Sequence, residues 1–115
     1  MGDHNRTYGA AGEDAVAAWY VANGYEVVHR NWRCREGELD LVVRAGRLYV
    51  FCEVKSRSSD RFGAPVEAVG ATKQARLRRL AAKYLEEDAP VRPLEIRFDV
   101  ASVLAGEIDI IQGAF

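Results

Sequence analysis

Cysteine is scarce. Cys34 and Cys52 are the only thiols and form no CxxC pair, which excludes a disulfide-stapled scaffold and a thiolate zinc site. Cys52 lies inside the apolar run YVFCEV and reads as a buried thiol. An excess of either charge is lacking too: 16 basic residues against 17 acidic ones leave a net charge of -1. That balance gives no global attraction for nucleic acid, so any such attraction must come from a local basic face. No apolar run approaches the roughly 20 residues of a membrane helix. The first residues, MGDHNRTYGAAGED, contain no apolar stretch of the signal-peptide kind, and Arg6 stands where a myristoylation site has Ser or Thr. A cytoplasmic location without membrane attachment is the expectation. Internal repeats, low-complexity tracts and linkers are also missing.

What is present suits one domain over residues 1–115: 49% of the residues are hydrophobic, enough for a core without staples. Residues 8–23 are rich in alanine, with Ala11, Ala15, Ala18, Trp19 and Ala22 at helical spacing and Asn23-Gly24 as a stop. Strands are expected over 25–33, and over 38–44 and 47–55 around an Ala45-Gly46 turn. Residues 56–65 read as an exposed loop. A second helix is expected over 72–87, with Thr72 as N-cap and Leu77, Leu80, Ala81, Tyr84 and Leu85 on one stripe. Beyond a turn between Pro90 and Pro93, strands are expected over 94–103 and 107–112 around Ala105-Gly106. The order α-β-β-β-α-β-β points to an α/β domain, with a mixed sheet of about five strands flanked by helices.

The hairpin of residues 37–57, GELDLVVRAGRLYVFCEVKSR, is unusual in its charges. Strand alternation puts Leu39, Leu41, Val43, Leu48, Val50, Cys52 and Val54 on one wholly apolar face. The other face holds Glu38, Asp40, Val42, Tyr49, Phe51, Glu53 and Lys55. It is apolar near the turn and carries three acids and a lysine at its open end. With Ala45-Gly46 as a two-residue turn, Asp40 opposes Phe51, and Asp40 and Glu53 are diagonal neighbours, roughly 7–8 Å apart at Cα. Two carboxylates so placed can aim at one Mg²⁺ ion, whose remaining sites are filled by water or phosphate. Lys55, one step further out, reaches a phosphate or water beside it. The competing reading of the same residues is a half-exposed strand end with solvated acids and one weak salt bridge.

GELDLVV followed by FCEVKSR resembles the D…(D/E)xK signature of restriction-endonuclease-like nucleases. Together with GEDAVAAWYVANGYEVVHRNWR, FGAPVEAV, the helix from Lys73 and the late RFDV, it resembles the YraN-like bacterial proteins over about Gly9 to Phe115. Their fold is similar to that of archaeal Holliday-junction resolvases. The resemblance implies a three-layer restriction-endonuclease-like domain. It implies Asp40, Glu53 and the Val54 carbonyl as ligands of Mg²⁺ or Mn²⁺, Lys55 as the signature lysine, and Glu13 as a helical acid at the edge of the metal site. Glu38 matches the family's GE-D pattern, without an assigned role. Lys73 and Gln74 fall where resolvase-like relatives carry polar substrate contacts.

The implied reaction is metal-dependent hydrolysis of phosphodiester bonds, with branched or single-stranded DNA as substrate. DNA is expected ahead of RNA. Lys55 is expected to be protonated, because neighbouring carboxylates favour its charged form. Lys73, Arg76, Arg78, Arg79 and Lys83 on the second helix, with Arg57 and Arg61 on the loop after the ExK strand, supply positive charge for phosphates. Phe62 is more simply a tether for that loop than a base-stacking platform. Trp19 and Tyr84 read as core residues, and Asp99 as structural or assisting the site. One small site implies a homodimer wherever both strands are cut. Two other readings stay open: a nucleic-acid-binding module that keeps the fold with little or no catalysis, and a scaffold whose hairpin charges form a salt-bridge network.

Overall fold

The computed structural model describes the backbone of residues 2–57 and 69–115, and the side chains of residues 11–56 and 69–115. The elements follow the expected order: α1 (Gly2–Ala22), β1 (Glu26–Cys34), β2 (Gly37–Ala45), β3 (Leu48–Arg57), α2 (Ala71–Glu87), β4 (Glu95–Leu104) and β5 (Glu107–Ile111). The strands form one sheet in the order β1-β2-β3-β4-β5. All neighbours are antiparallel except β3 and β4, which run parallel. That parallel pair needs a crossover, and α2 lies within it. α1 packs on one face of the sheet through Val16, Ala17 and Tyr20, against Leu41, Val43, Val50, Cys52 and Ala101. α2 packs on the other through Leu77, Leu80, Ala81 and Tyr84, against Val42, Tyr49, Phe51 and Phe98. The chain is thus an α/β domain with a helix on each face of a five-stranded mixed sheet. Among the described residues no helix is long and apolar enough to cross a membrane.

Four expectations need correction. The α1 stripe is rotated by one residue: Gly12, Val16, Ala17 and Tyr20 are buried, while Ala11, Ala18 and Ala22 are exposed and Trp19 is half-buried. Alanine around the whole helix gave the periodicity no contrast. Val16 and Tyr20 have more apolar surface to remove from water, and they set the buried side. The cap of α2 is Gly70, not Thr72, and it makes no side-chain hydrogen bond. β3 continues to Arg57, into the span expected as loop, because it stays paired with β4 as far as Leu104.

The fourth correction bears on register. The turn of the β2–β3 hairpin is Gly46-Arg47, since Ala45 pairs with Leu48 and Val42 with Phe51. Gly46 has φ of 62° and Arg47 does not share the positive φ. This is the pattern of a type II′ turn, which takes glycine in its first central position. Each β2 residue therefore opposes a β3 residue two places further along than expected. A shift of two preserves the side-chain faces. The β4–β5 turn is Ala105-Gly106 as expected, with both residues at positive φ.

Asp99 is structural. It is fully buried in mid-strand and accepts hydrogen bonds from the Tyr20 hydroxyl at 2.5 Å, Arg97 Nε at 2.9 Å, Arg97 Nη2 at 3.0 Å and the Gly113 N–H at 3.0 Å. A buried carboxylate is tolerated only when it is so paired, and removing it strands its donors. Asp99→Ala is expected to lower unfolding free energy by about 2–4 kcal/mol, and Tyr20→Phe by about 1 kcal/mol, in urea titrations. A loss below about 1 kcal/mol for Asp99→Ala would show that the network contributes little.

Candidate metal and phosphate site

The site begins where a hairpin comes apart. The β2–β3 ladder closes at Leu41 and Cys52, and the next residues outward on the same register are Asp40 and Glu53. They face each other directly and are not the diagonal pair that the Ala45-Gly46 turn predicted. Asp40 Oδ2 accepts the Val54 N–H at 2.9 Å, a position that the β2 backbone fills in a continuous ladder. In a strand, the N–H and C=O of one residue point to the same edge. The Val54 carbonyl therefore faces the same gap as the two carboxylates.

The cause of the opening lies one strand away. Asn31 on β1 has φ of 55°, left-handed backbone that asparagine tolerates better than most residues. It falls between the pairs Arg30–Leu41 and Trp32–Leu39, opposite Asp40. Across this point both strands change face. Arg30 binds α1 acids, whereas Trp32 joins the α2 core. Leu41 packs under α1, whereas Leu39 packs under α2. Leu39 was expected beside Leu41; the left-handed residue on β1 overrides simple alternation. Glu38 is moved accordingly. It pairs with Arg33 at 3.4 Å on a mostly exposed edge, and it is not among the groups that shift Asp40.

Glu13 is brought in by α1. The helix approaches β3 closely at Gly12, where a Cβ would stand 2.2 Å from Ser56 Oγ, so glycine sets the distance. Glu13 Oε1 then accepts Asn31 Nδ2 at 3.1 Å and lies 3.6 Å from Arg30. Asn31 thus both opens the sheet and holds the helical acid. It was not among the expected site residues. Its signal was an asparagine inside the strand YEVVHRNWR, where asparagine is disfavoured.

On β3, Lys55 Nζ is 3.4 Å from Glu53 Oε2. Lys73, from the first turn of α2, contacts the same oxygen. The other polar groups of α2 spread around the helix. Gln74 is turned back, its Nε2 donating to the Val69 carbonyl at 2.9 Å. Arg76 is exposed, with its stem beside Gly37. Arg78 lies 5.0 Å over the Phe98 ring and 5.4 Å from that of Phe115. Lys83 pairs with Glu36 at 3.5 Å. The basic run is therefore not one face, and of its members the structure brings Lys73 to the acids. The side chain of Arg57, and Arg61 and Phe62 entirely, lie outside the described residues.

Burial, then the Glu53 and Glu13 carboxylates, push Asp40 up to about 7, against the Val54 N–H, which favours its charge. Asp40 and Glu53 are close enough to share a hydrogen bond. Lys55 is pushed down from the ordinary lysine value by burial and by the neighbouring Lys73, which together outweigh the attraction of Glu53. The attraction of Glu53 acts in the expected direction, and burial and Lys73 are the opposing influences that the sequence did not show. Lys73 is raised: burial opposes its charge, and the contact with Glu53 prevails. Cys52 is buried, as expected, and burial pushes it up to about 12.

Among the described residues no group of three or more His, Cys, Asp or Glu side chains has metal-holding geometry. The donor set is smaller: two facing carboxylates and a backbone carbonyl on the same edge. That set fits a hard cation which keeps several waters. The difficulty of ionising Asp40 beside Glu53 is what a cation relieves.

The raised Asp40 has a consequence for stability. Between pH about 4 and about 7 the folded protein holds a proton that the unfolded chain has released. Stability from this group is therefore full below pH about 4 and declines as pH rises through about 7. Asp40→Asn is expected to leave stability unchanged at pH 4 and to raise it by about 1–2 kcal/mol at pH 8 without added metal. Urea unfolding at the two pH values checks this; an equal effect at both would remove the titration argument.

The uncharacterised protein family UPF0102 matches residues 12–103, a span that runs from the middle of α1 to the last residues of β4 and leaves out β5. A UPF0102 protein of Beutenbergia cavernae is 59% identical over 97 residues, covering 84% of this chain and 80% of its own. One from Frankia casuarinae is 50% identical, covering 93% and 94%. One from Symbiobacterium thermophilum is 45% identical, covering 96% and 98%. The chain belongs to the UPF0102 family, the YraN-like group that its motifs resemble.

Proposed function

We propose that this chain is a metal-dependent nuclease with a restriction-endonuclease-like fold, hydrolysing phosphodiester bonds of DNA, branched or single-stranded DNA foremost. The observation that carries the reading is the facing pair Asp40 and Glu53 at the opened end of the hairpin, with Lys55 beside Glu53. A purely structural salt-bridge cluster has no need to bury two carboxylates so close that one resists ionisation.

Asp40, Glu53 and the Val54 carbonyl would hold Mg²⁺ or Mn²⁺. When bound, such an ion polarises a phosphodiester and acidifies a water. Glu13, fixed by Asn31, adds negative charge at the rim and favours cation entry. Lys55 is held by its strand next to Glu53. Its ammonium is placed to orient a water or to meet charge developing on a phosphate oxygen. Lys73 supplies a second cation from the opposite side. None of these groups reads base edges, so the interactions are with phosphate and geometry more than with sequence.

The test is a cleavage panel of duplex, single-stranded, flap and four-way-junction DNA, plus RNA, each with Mg²⁺, Mn²⁺ or EDTA. Cutting is expected with metal, abolished by EDTA, and reduced at least about 10²-fold in Asp40→Asn and Glu53→Gln. Lys55→Met is expected to lose turnover more than binding. Tight, salt-sensitive binding without cutting would instead make the chain a binding module. Cutting that survives Lys55→Met would remove the role given to Lys55.

A further inference from the structure

Lys73 stands at the wrong end of its helix. It is the third residue of α2, where exposed N–H groups carry partial positive charge and an acidic side chain is favoured. The first turn of α2 has no acidic residue, and its cap makes no side-chain hydrogen bond. Nothing in the helix therefore favours a cation at this position. The stem instead crosses to the sheet, and the ammonium meets Glu53 Oε2.

That oxygen is already served. Lys55 lies 3.4 Å from it, so two ammonium groups converge on one oxygen of a carboxylate that is 10% exposed. They repel each other, and a single carboxylate balances only one of them. Asp40, immediately opposite, has the Val54 N–H. Positive charge is thus crowded on the Glu53 side of the pair, at the place from which a divalent cation shared with Asp40 would have to be held.

The two lysines are not equivalent. Lys55 is two residues from Glu53 on the same strand, and the ladder with β4 fixes its backbone. Lys73 reaches in from another element. Both side chains are 31% exposed and both stems are flexible, so the difference lies in the contact itself: Lys73 makes the shorter approach to Glu53 Oε2 and comes from outside the sheet. Of the two, Lys73 is the closer occupant of Glu53 and the one not tied to the strand that carries it.

This inference rests on the reading of Asp40 and Glu53 as a cation site. We propose that Lys73 and a divalent cation are alternative occupants of Glu53: the ammonium fills the cation's place in the metal-free protein, and metal entry displaces it. The lysine keeps the acid pair compensated until metal arrives. A monovalent ion gains little by displacing an ammonium of equal charge, whereas a divalent one replaces it with a stronger partner for both carboxylates. Lys73 thereby lowers apparent cation affinity and sharpens selection for double charge. By linkage, the cation weakens the Lys73–Glu53 pair by the same factor. The displaced ammonium remains at the rim of the site, available to a phosphate.

The experiment is a Mn²⁺ titration without nucleic acid, reading the free ion by electron paramagnetic resonance. It compares the unaltered protein with Lys73→Met, Lys73→Gln, Lys73→Arg and Glu53→Gln, each checked for folding by circular dichroism. Lys73→Met and Lys73→Gln are expected to bind Mn²⁺ about three- to tenfold more tightly, the affinity equivalent of about one partly buried ion pair. Lys73→Arg should stay near the unaltered protein, and Glu53→Gln should lose binding. Equal or weaker affinity in both neutral variants, with binding still lost in Glu53→Gln, overturns the competition and leaves the cation site standing. No Mn²⁺ binding by any of the proteins removes the cation site itself, and the competition with it.

Discussion

Two carboxylates facing each other at the end of a β-ladder are the constraint around which this structure is arranged. Like charges at that distance, partly out of water, resist joint ionisation. The polar groups described around the pair answer to that. The Val54 N–H is drawn to Asp40, two ammonium groups are drawn to Glu53, and Glu13 is held at the rim by Asn31 and Arg30. The hydrophobic core supplies the rigidity that keeps the pair together. Leu41 and Cys52, the last paired residues, are almost wholly buried under α1. Phe51 and Leu39 are locked under α2. The acids therefore cannot relax apart without loosening the packing on both faces.

The charges around the pair are unevenly distributed. The acids Asp40 and Glu13 lie on β2 and α1, and Glu53, on β3, is the carboxylate that pairs with both lysines. Positive charge lies on β3 and α2, from Lys55 and Lys73. The second buried charge cluster, around Asp99, has a different character. There four hydrogen bonds close on one carboxylate, so its charge is satisfied within the protein. Asp40 and Glu53 are compensated by a backbone N–H and by two partly exposed lysine side chains. This contrast sets the candidate site apart from the cluster that holds the fold.

Most of the fold was legible because strand alternation is a strong signal. Val42, Tyr49 and Phe51 fall on one side of the sheet and Leu41, Val43 and Val50 on the other, as the sequence implies. The turn was misplaced by one residue, yet the shift of two in register left the faces intact. Leu39 broke the pattern because Asn31, on a neighbouring strand, adopts left-handed backbone. No inspection of β2 alone reveals that. The α1 stripe was misread because alanine marks every side of that helix equally. For the site, Asp40, Glu53 and Lys55 were legible from spacing, and Glu13 from resemblance. The part played by Lys73 was not, since a run of five basic residues on α2 does not say which one turns inward. Packing decides it: Leu77, Leu80, Ala81 and Tyr84 orient the helix, and that orientation leaves Lys73 above Glu53.

The tight Gly46-Arg47 turn has a consequence for the order of assembly. Asp40, Glu53, Val54 and Lys55 all belong to the hairpin it closes, whose contacts span few residues along the chain. Such hairpins form within microseconds, whereas the parallel β3–β4 pairing must wait for the whole α2 crossover to close. The repelling carboxylates are therefore brought together early, before α2 has delivered Lys73 to Glu53. During that interval Lys55 is the one ammonium that the hairpin itself supplies to the two carboxylates. A nascent chain in this state should zip readily near the turn and fray at the acids, and docking of α2 completes both the core and the neutralisation of the site.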